Sequence, residues 1–110
     1  MTVHELQVSV GREGDGAVIA LVGELNASAQ EALDRAYVEA TAQGPDHVVL
    51  DFARADYINS TGIAVIVGLL AQARAQAIEI RARGLSDHYR EIFEITRLSD
   101  FMTIEGNDHA

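Results

Sequence analysis

The four residues Asn59-Ser60-Thr61-Gly62 carry the side chains best suited to chemistry in this sequence. Two neighbouring hydroxyl groups stand between an amide and a glycine, where a long apolar run begins. Asn, Ser and Thr are common helix-starting residues, and the free N–H groups of a helix start favour an anion. One interpretation is a plain helix N-cap. The other is a phosphorylation site, where phosphate would add about 1.5–2 negative charges at the positive end of a helix dipole.

Signatures of other chemistry are missing from the sequence. It contains no Gly-rich phosphate loop, no dinucleotide fingerprint and no nucleophile elbow, and it has neither lysine nor cysteine. The histidines are His4, His47, His88 and His109, and they show no metal-ligand spacing. We therefore expect a protein that is not an enzyme, with no metal site and no cofactor.

The formal net charge of −9 restricts the class of partner. Contact with phosphates needs a basic face, so the charge argues against nucleic acid and against an anionic membrane. An acidic surface serves solubility or fits a basic protein partner. No segment approaches the length of a membrane span or resembles a signal peptide, and we expect a cytoplasmic protein.

The elements that must position the hydroxyl pair alternate between strands and helices. Helix-linked strands pair in parallel and an opening hairpin adds an antiparallel strand, so we predict an α/β fold whose mixed sheet has helices packed on it. A single domain is expected over residues 1–110, with its core at about 5–104. The predicted elements are a hairpin in 5–22 with its turn at 11–16, a loop at 23–26, a helix ending at 43–45, a strand at 48–52, a loop at 53–58, a helix at 61–77 and a strand at 78–82. A short helix follows, capped by Ser86, with the apolar anchors Ile92, Phe93 and Ile95 and with Arg97 at its end. The chain then forms a strand at 101–104 and a frayed tail at 105–110.

The predicted helix that follows Ser60 has two apolar stripes. The larger side chains suit the core, whereas the smaller stripe is still mostly apolar where a surface helix normally carries polar residues. That smaller stripe either packs closely within the chain or offers a flat patch to a partner helix. The large stripe is Ile63, Ile66, Val67 and Leu70, and the small stripe is Ala64, Val65, Gly68 and Gln72.

Three motifs occur in the order found in a known family. They are Gly23-Glu24-Leu25-Asn26, the stretch from Asp51-Phe52 through Tyr57-Ile58-Asn59-Ser60-Thr61-Gly62-Ile63, and Ile92-Phe93-Glu94-Ile95-Thr96-Arg97-Leu98. Together they resemble the STAS domain of bacterial anti-sigma factor antagonists, and the resemblance covers about residues 5–104. The sequence departs from the family pattern at four positions. The usual aspartate is Asn26 in one motif and Asn59 in another, and two usual glycines are Ala64 and Arg97.

The resemblance implies a partner-switching regulator of sigma-factor-dependent transcription. In that family, the unphosphorylated antagonist binds an anti-sigma factor that is also a serine kinase of the GHKL type, and this binding frees a sigma factor. The kinase phosphorylates the antagonist and the complex dissociates, and a PP2C-type phosphatase resets the cycle. The matching hydroxyl here is Ser60, with Thr61 as second choice. The chain is expected to be a monomer or a weak dimer.

Two further groups of residues belong to this hypothesis. Asn26, Asn59 and Gly62 are expected around the phosphorylation site. The expected partner-binding surface is Tyr57, Ile58, Thr61, Ala64, Val65 and Gly68.

Two alternative functions remain open. One is a non-switching STAS scaffold subunit of a signalling complex, and the other is a STAS domain that senses a nucleotide or another small molecule.

Overall fold

The computed structural model describes residues 5–105, in which five strands form one mixed sheet accompanied by three helices. The order of elements and the fold class agree with the prediction. The expected tail lies outside the described residues apart from Glu105, and so do His4 and His109. The elements are β1 Gln7–Glu13, β2 Gly16–Leu25, α1 Gln30–Thr41, β3 His47–Ile58, α2 Ser60–Ala75, β4 Glu79–Arg83, α3 Asp87–Ile95 and β5 Thr103–Ile104, with short 3-10 turns at Ala27–Ala29 and Leu98–Asp100.

The strands lie side by side in the order in which the chain makes them. β1 and β2 are antiparallel, and each later strand is parallel to the one before it. Because right-handed crossovers that advance in one direction place every helix on the same side, one face of the sheet is covered. Ile19, Leu21 and Leu25 of β2 point to that face and are fully buried, whereas Val18 and Val22, on the alternate positions of the strand, are only half-buried.

The open face of the sheet carries an ionic group. Arg83 Nη1 donates to Glu13 Oε1 at 2.8 Å, and Arg83 Nη2 lies 3.5 Å from Asp51 Oδ2. The hydrogen bond to Glu13 and the nearby carboxylates raise the pKa of the Arg83 guanidinium above its ordinary value. The group joins β1, β3 and β4 on the face of the sheet opposite the described helices.

The opening hairpin is tighter than the sequence predicted. The expected six-residue turn at 11–16 is wrong, because Arg12 pairs with Ala17 and Glu13 with Gly16. Only two residues remain between the strands, and the first of them, Gly14, has φ +61°, a conformation that favours glycine. The expected loop at 23–26 is likewise mostly strand, since β2 continues to Leu25.

The central strand is more than twice as long as predicted. Residues 53–58 were expected to form a loop, but β3 continues to Ile58. Its register against β2 shifts twice, because Ala20 pairs with Asp51 and Val22 with Arg54, and the next shift follows Gly23. Each shift places an extra residue on β3, and such bulges break the alternation by which a strand is recognised.

Several helix boundaries and apolar contacts differ from the predictions. α2 ends at Ala75 rather than residue 77, and Ala77 has φ +59°. Phe93 is fully buried with its ring edge-on to Phe52, but Ile95, which was also expected as an apolar anchor, is 71% exposed. Arg97 lies beyond α3, with φ +69° and an ion pair to Asp100. None of the described helices has both the length and the apolar content needed to cross a membrane.

Candidate functional site

Ser60 is the first residue of α2 and is exposed at the carboxyl end of β3. The side chain of Asn59 caps the helix, since its Oδ1 accepts from the N–H of Gly62 at 2.8 Å. The main-chain oxygen of Asn59 accepts from the N–H of Ile63 at 2.9 Å. Among residues 5–105, no acceptor is present for the N–H groups of Ser60 and Thr61, which can therefore serve an anion.

The two adjacent hydroxyl groups have different surroundings. Thr61 Oγ1 donates to Asn59 Oδ1 at 2.8 Å and so belongs to the cap. The Ser60 hydroxyl has no hydrogen-bond partner within the described part of the chain. Transfer of a group to Ser60 would therefore leave the cap intact, whereas transfer to Thr61 would remove one of its hydrogen bonds.

Gly62 brings the start of α2 against the end of β2. A Cβ atom at Gly62 would overlap the carbonyl oxygen of Leu25, so only glycine fits this approach. The same oxygen accepts from the N–H of Asn59 at 3.3 Å. The two backbone segments are therefore held together directly, and the loop after β2 is fixed beside the loop after β3.

Asn26 stands in that neighbouring loop and also acts as a cap. Its Oδ1 accepts from the N–H of Ser28 at 2.9 Å and from the Ser28 hydroxyl at 2.6 Å. The short turn Ala27–Ala29 follows, and α1 begins after it. Both asparagines thus use their amide oxygens as caps and keep their amide N–H groups available on the same edge of the sheet.

The strand end before Ser60 is anchored by a residue that no sequence motif assigns to this site. The N–H of Ile58 donates to the hydroxyl of Tyr89, on α3, at 3.0 Å. Ile58 itself is buried, so its expected role in contacting a partner is wrong, whereas Tyr57 is about half exposed. The aromatic hydroxyl stabilises the position from which the loop to Ser60 departs.

The exposed face of α2 differs from the predicted small stripe. Val65 is only 5% exposed and packs in the core, so its assignment to the partner-binding surface is wrong. Val67, expected in the core, is 45% exposed. Ala64 and Gly68 are exposed as expected, and a Cβ atom at Gly68 would meet nothing within 4 Å. The helix therefore presents a flat apolar surface that is rotated from the predicted one.

The fold and this site were compared with known proteins. Residues 8–104 match the family model described as "Mlab, STAS domain". BtrV of Bordetella bronchiseptica, named as an anti-sigma factor antagonist, is 37% identical over 97 residues, which are 87% of this chain and 84% of BtrV. The anti-sigma-B factor antagonist of Listeria monocytogenes is 34% identical over 101 residues, which are 86% of this chain and 83% of that protein.

Solved structures show the same fold at lower sequence identity. The anti-sigma factor antagonist SpoIIAA in its unphosphorylated form superposes with a TM-score of 0.67 at 21% identity, covering 94% of this chain and 90% of that one. Phosphorylated SpoIIAA of Bacillus superposes with a TM-score of 0.65 at 23% identity, covering 94% and 93%.

Proposed function

The chain belongs to the STAS domain family of anti-sigma factor antagonists, and on that premise we propose that it is a partner-switching antagonist released by phosphorylation of Ser60. In its unphosphorylated form it binds an anti-sigma factor that is also a serine kinase of the GHKL type, and so frees a sigma factor. A PP2C-type phosphatase removes the phosphate and restores binding.

One observation carries this proposal: Ser60 presents an exposed, unpartnered hydroxyl at the start of a capped helix. In the transfer step, Ser60 Oγ forms a bond to the γ-phosphorus of ATP, the bond from that phosphorus to ADP breaks, and the hydroxyl proton passes to a base of the kinase. Thr61 is the weaker acceptor, because its hydroxyl is already engaged by Asn59.

The same geometry explains why a phosphate would release the partner and leave the domain folded. The N–H groups of Ser60 and Thr61 point out of the helix start, and the dipole favours negative charge there. A partner surface pressed against Ser60 would have no such compensation. An unpaired charge in a desolvated interface costs several kcal/mol, which is enough to dissociate the complex.

The two alternative functions gain less support. A nucleotide sensor needs a cavity with positive charge, and ligand pockets usually occupy about 300–1,000 Å³. The cleft beside Tyr89 has only about 190 Å³. A wider cleft of about 550 Å³ at the other end of α2 is lined by Glu79 and Asp100 as well as Arg74. A scaffold without a switch accounts for the apolar face of α2 but assigns no role to the exposed Ser60 hydroxyl.

Phosphotransfer with purified proteins tests the proposal. The chain is incubated with ATP, Mg²⁺ and each anti-sigma factor kinase of the source organism, and the modified residue is located by mass spectrometry. We expect phosphate on Ser60 and loss of the complex as it accumulates. Ser60→Ala should bind without release, and Ser60→Asp should bind more weakly than the unaltered chain.

Thr61→Val is the matched variant for locating the phosphate, because it removes the hydroxyl next to Ser60 and leaves Ser60 as the acceptor. Its affinity for the kinase is not a control, since the Thr61 hydroxyl belongs to the Asn59 cap and lies in the expected partner-binding surface. Stable binding without transfer would support the scaffold function instead. Melting that responds to a nucleotide, with no kinase bound, would support the sensor.

A further inference from the structure

A single line of side chains runs along α2 from Ser60 to the far end of the helix. Ser60, Ala64, Val67, Ala71 and Arg74 follow one another at alternating spacings of four and three residues, which keeps them on one side of a helix. All five are exposed. The surface beside Ser60 therefore continues for fourteen residues, or about 21 Å at the usual rise of about 1.5 Å per residue.

The far end of this line opens into an apolar groove. The groove has a volume of about 170 Å³, and its exposed lining atoms are apolar. Val67 and Ala71 form one wall, and Phe101, which is 49% exposed, stands on the other. An aromatic ring left half in solvent beside an exposed valine is typical of a contact surface.

Arg74 adds a charge to this groove. Its guanidinium carbon lies 5.2 Å from the centroid of the Phe101 ring, a cation–π arrangement that holds the charge over the groove. Within residues 5–105, no carboxylate forms an ion pair with Arg74, although the chain as a whole is strongly acidic. A cation that forms no ion pair among the described residues and stands beside an apolar groove complements an apolar side chain that is followed by a carboxylate.

We propose that this groove is the second half of the docking surface for the anti-sigma factor kinase, receiving an apolar side chain of the kinase while a kinase carboxylate pairs with Arg74. The inference rests on the proposed function, since the occupant is the same partner that reaches Ser60. A specific interface covers about 800 Å² on each partner, a patch about 32 Å across. One interface of ordinary size thus spans both Ser60 and Phe101.

Binding measurements with single-residue variants test the groove apart from the switch. The purified anti-sigma factor kinases of the source organism are titrated with the unphosphorylated chain and with Phe101→Ser and Arg74→Glu. Both variants should raise the Kd about tenfold or more, as expected for aromatic and arginine residues that anchor an interface. A third variant, Arg74→Gln, removes the charge without reversing it, and the Kd of its complex should depend less on salt concentration than that of the unaltered chain. Val38→Ser is the control, because Val38 is equally apolar and exposed but lies on α1.

Each outcome separates the groove from the switch. If the unaltered chain binds none of the kinases, the proposed function and this inference fail together. If it binds and is phosphorylated on Ser60 while Phe101→Ser and Arg74→Glu bind equally well, the inference alone is overturned.

The test remains valid if Phe101→Ser loses its fold, because Arg74→Glu leaves the Phe101 ring in place and should still weaken binding. If sedimentation shows a dimer that Phe101→Ser dissociates with kinase binding unchanged, the occupant is a second copy and the inference is wrong.

Discussion

The α-carbon of Gly62 lies against the carbonyl oxygen of Leu25, so closely that no side chain fits between them. This contact joins the start of α2 to the end of β2 and holds the Asn59 cap beside the Asn26 cap. The oxygen of Leu25 also accepts from the N–H of Asn59, so the two segments share both a steric and a polar contact.

We predict that Gly62→Ala destabilises the fold, because the added methyl group must displace backbone. Inserting atoms into a well-packed site typically costs about 1–3 kcal/mol. Urea unfolding followed by circular dichroism measures the change. Gly68→Ala is the control on the same helix, where a Cβ atom meets nothing within 4 Å. It should raise stability by about 0.5–1 kcal/mol, because alanine suits a helix interior better than glycine. Equal stability of the two variants would contradict the close contact.

Gly68 also provides a test of the partner surface. We predict that Gly68→Leu weakens binding to the anti-sigma factor kinase, since a bulky side chain would stand above the flat face that includes Ala64. The fold should remain intact, because the position opens to solvent. Isothermal titration with the kinase gives the affinity, and Gly68→Ala separates bulk from loss of glycine. Normal binding by Gly68→Leu would mean that the interface lies elsewhere.

Tyr37 predicts how stability responds to alkaline pH. Its side chain projects from α1 into the core, and its hydroxyl donates to Gln76 Oε1 at 2.6 Å. Burial raises the pKa of Tyr37 above its ordinary value of 10.0. The folded chain therefore holds this proton more tightly than the unfolded chain. Stability from Tyr37 is fully present below about pH 10 and falls as the pH rises through the folded pKa.

Tyr37→Phe should remove that alkaline loss. At pH 7 the variant loses the hydrogen bond to Gln76 and with it about 1 kcal/mol. Urea unfolding at pH 7 and pH 10.5 measures both effects, and the gap between the two proteins should narrow at the higher pH. A constant gap at both pH values would show that the Tyr37 proton does not contribute.

The two asparagines are predicted to set how long the phosphate remains on Ser60. Aspartates at these positions would repel a phosphate and ease its removal, whereas the amide N–H groups of Asn26 and Asn59 can donate to it. A carboxylate near the hydroxyl would also help the forward step by accepting or orienting its proton. We therefore expect slow phosphorylation and a long-lived phosphorylated form.

Time courses of phosphorylation and of phosphatase release measure this effect in the native chain and in Asn59→Asp and Asn26→Asp. Aspartate caps helices as well as asparagine does, so both substitutions should preserve the local structure. Faster release is expected in each variant. Identical rates in all three proteins would mean that the asparagines act only as caps.

Local signals in the sequence were enough to find the caps and the order of elements. Asn59 and Ser86 were predicted at helix starts, and each accepts from a main-chain N–H group in the structure. Asn26 forms the same kind of cap before α1. Capping depends on neighbours within three residues, so a local pattern can reveal it. Arg97 is a further local example. The family pattern has glycine at this position, and the backbone of Arg97 is left-handed, a conformation that favours glycine.

The errors arose where contacts between distant elements decide the outcome. α2 is apolar on more than one side, so its sequence alone did not indicate that Val65 faces the core and Val67 the solvent. The second half of β3 was predicted as a loop because its bulges break the alternation of apolar and polar residues and because it contains polar residues such as Arg54. The Tyr89 hydroxyl reaches Ile58 across thirty-one positions of sequence, and no short motif signals such a contact.

The strand order in the sheet matches the order of synthesis, and this has a consequence for how the chain folds. Every strand pairs with the one made just before it, so no strand must wait for a later segment to be inserted between existing neighbours. Because paired strands are neighbours in the sequence, only a short stretch of chain must be closed for each pairing, and the loss of conformational entropy is correspondingly small. The sheet can therefore grow from β1 outward as the nascent chain emerges, and each new strand adds to the edge opposite β1, whose own outer edge stays unpaired in the sheet.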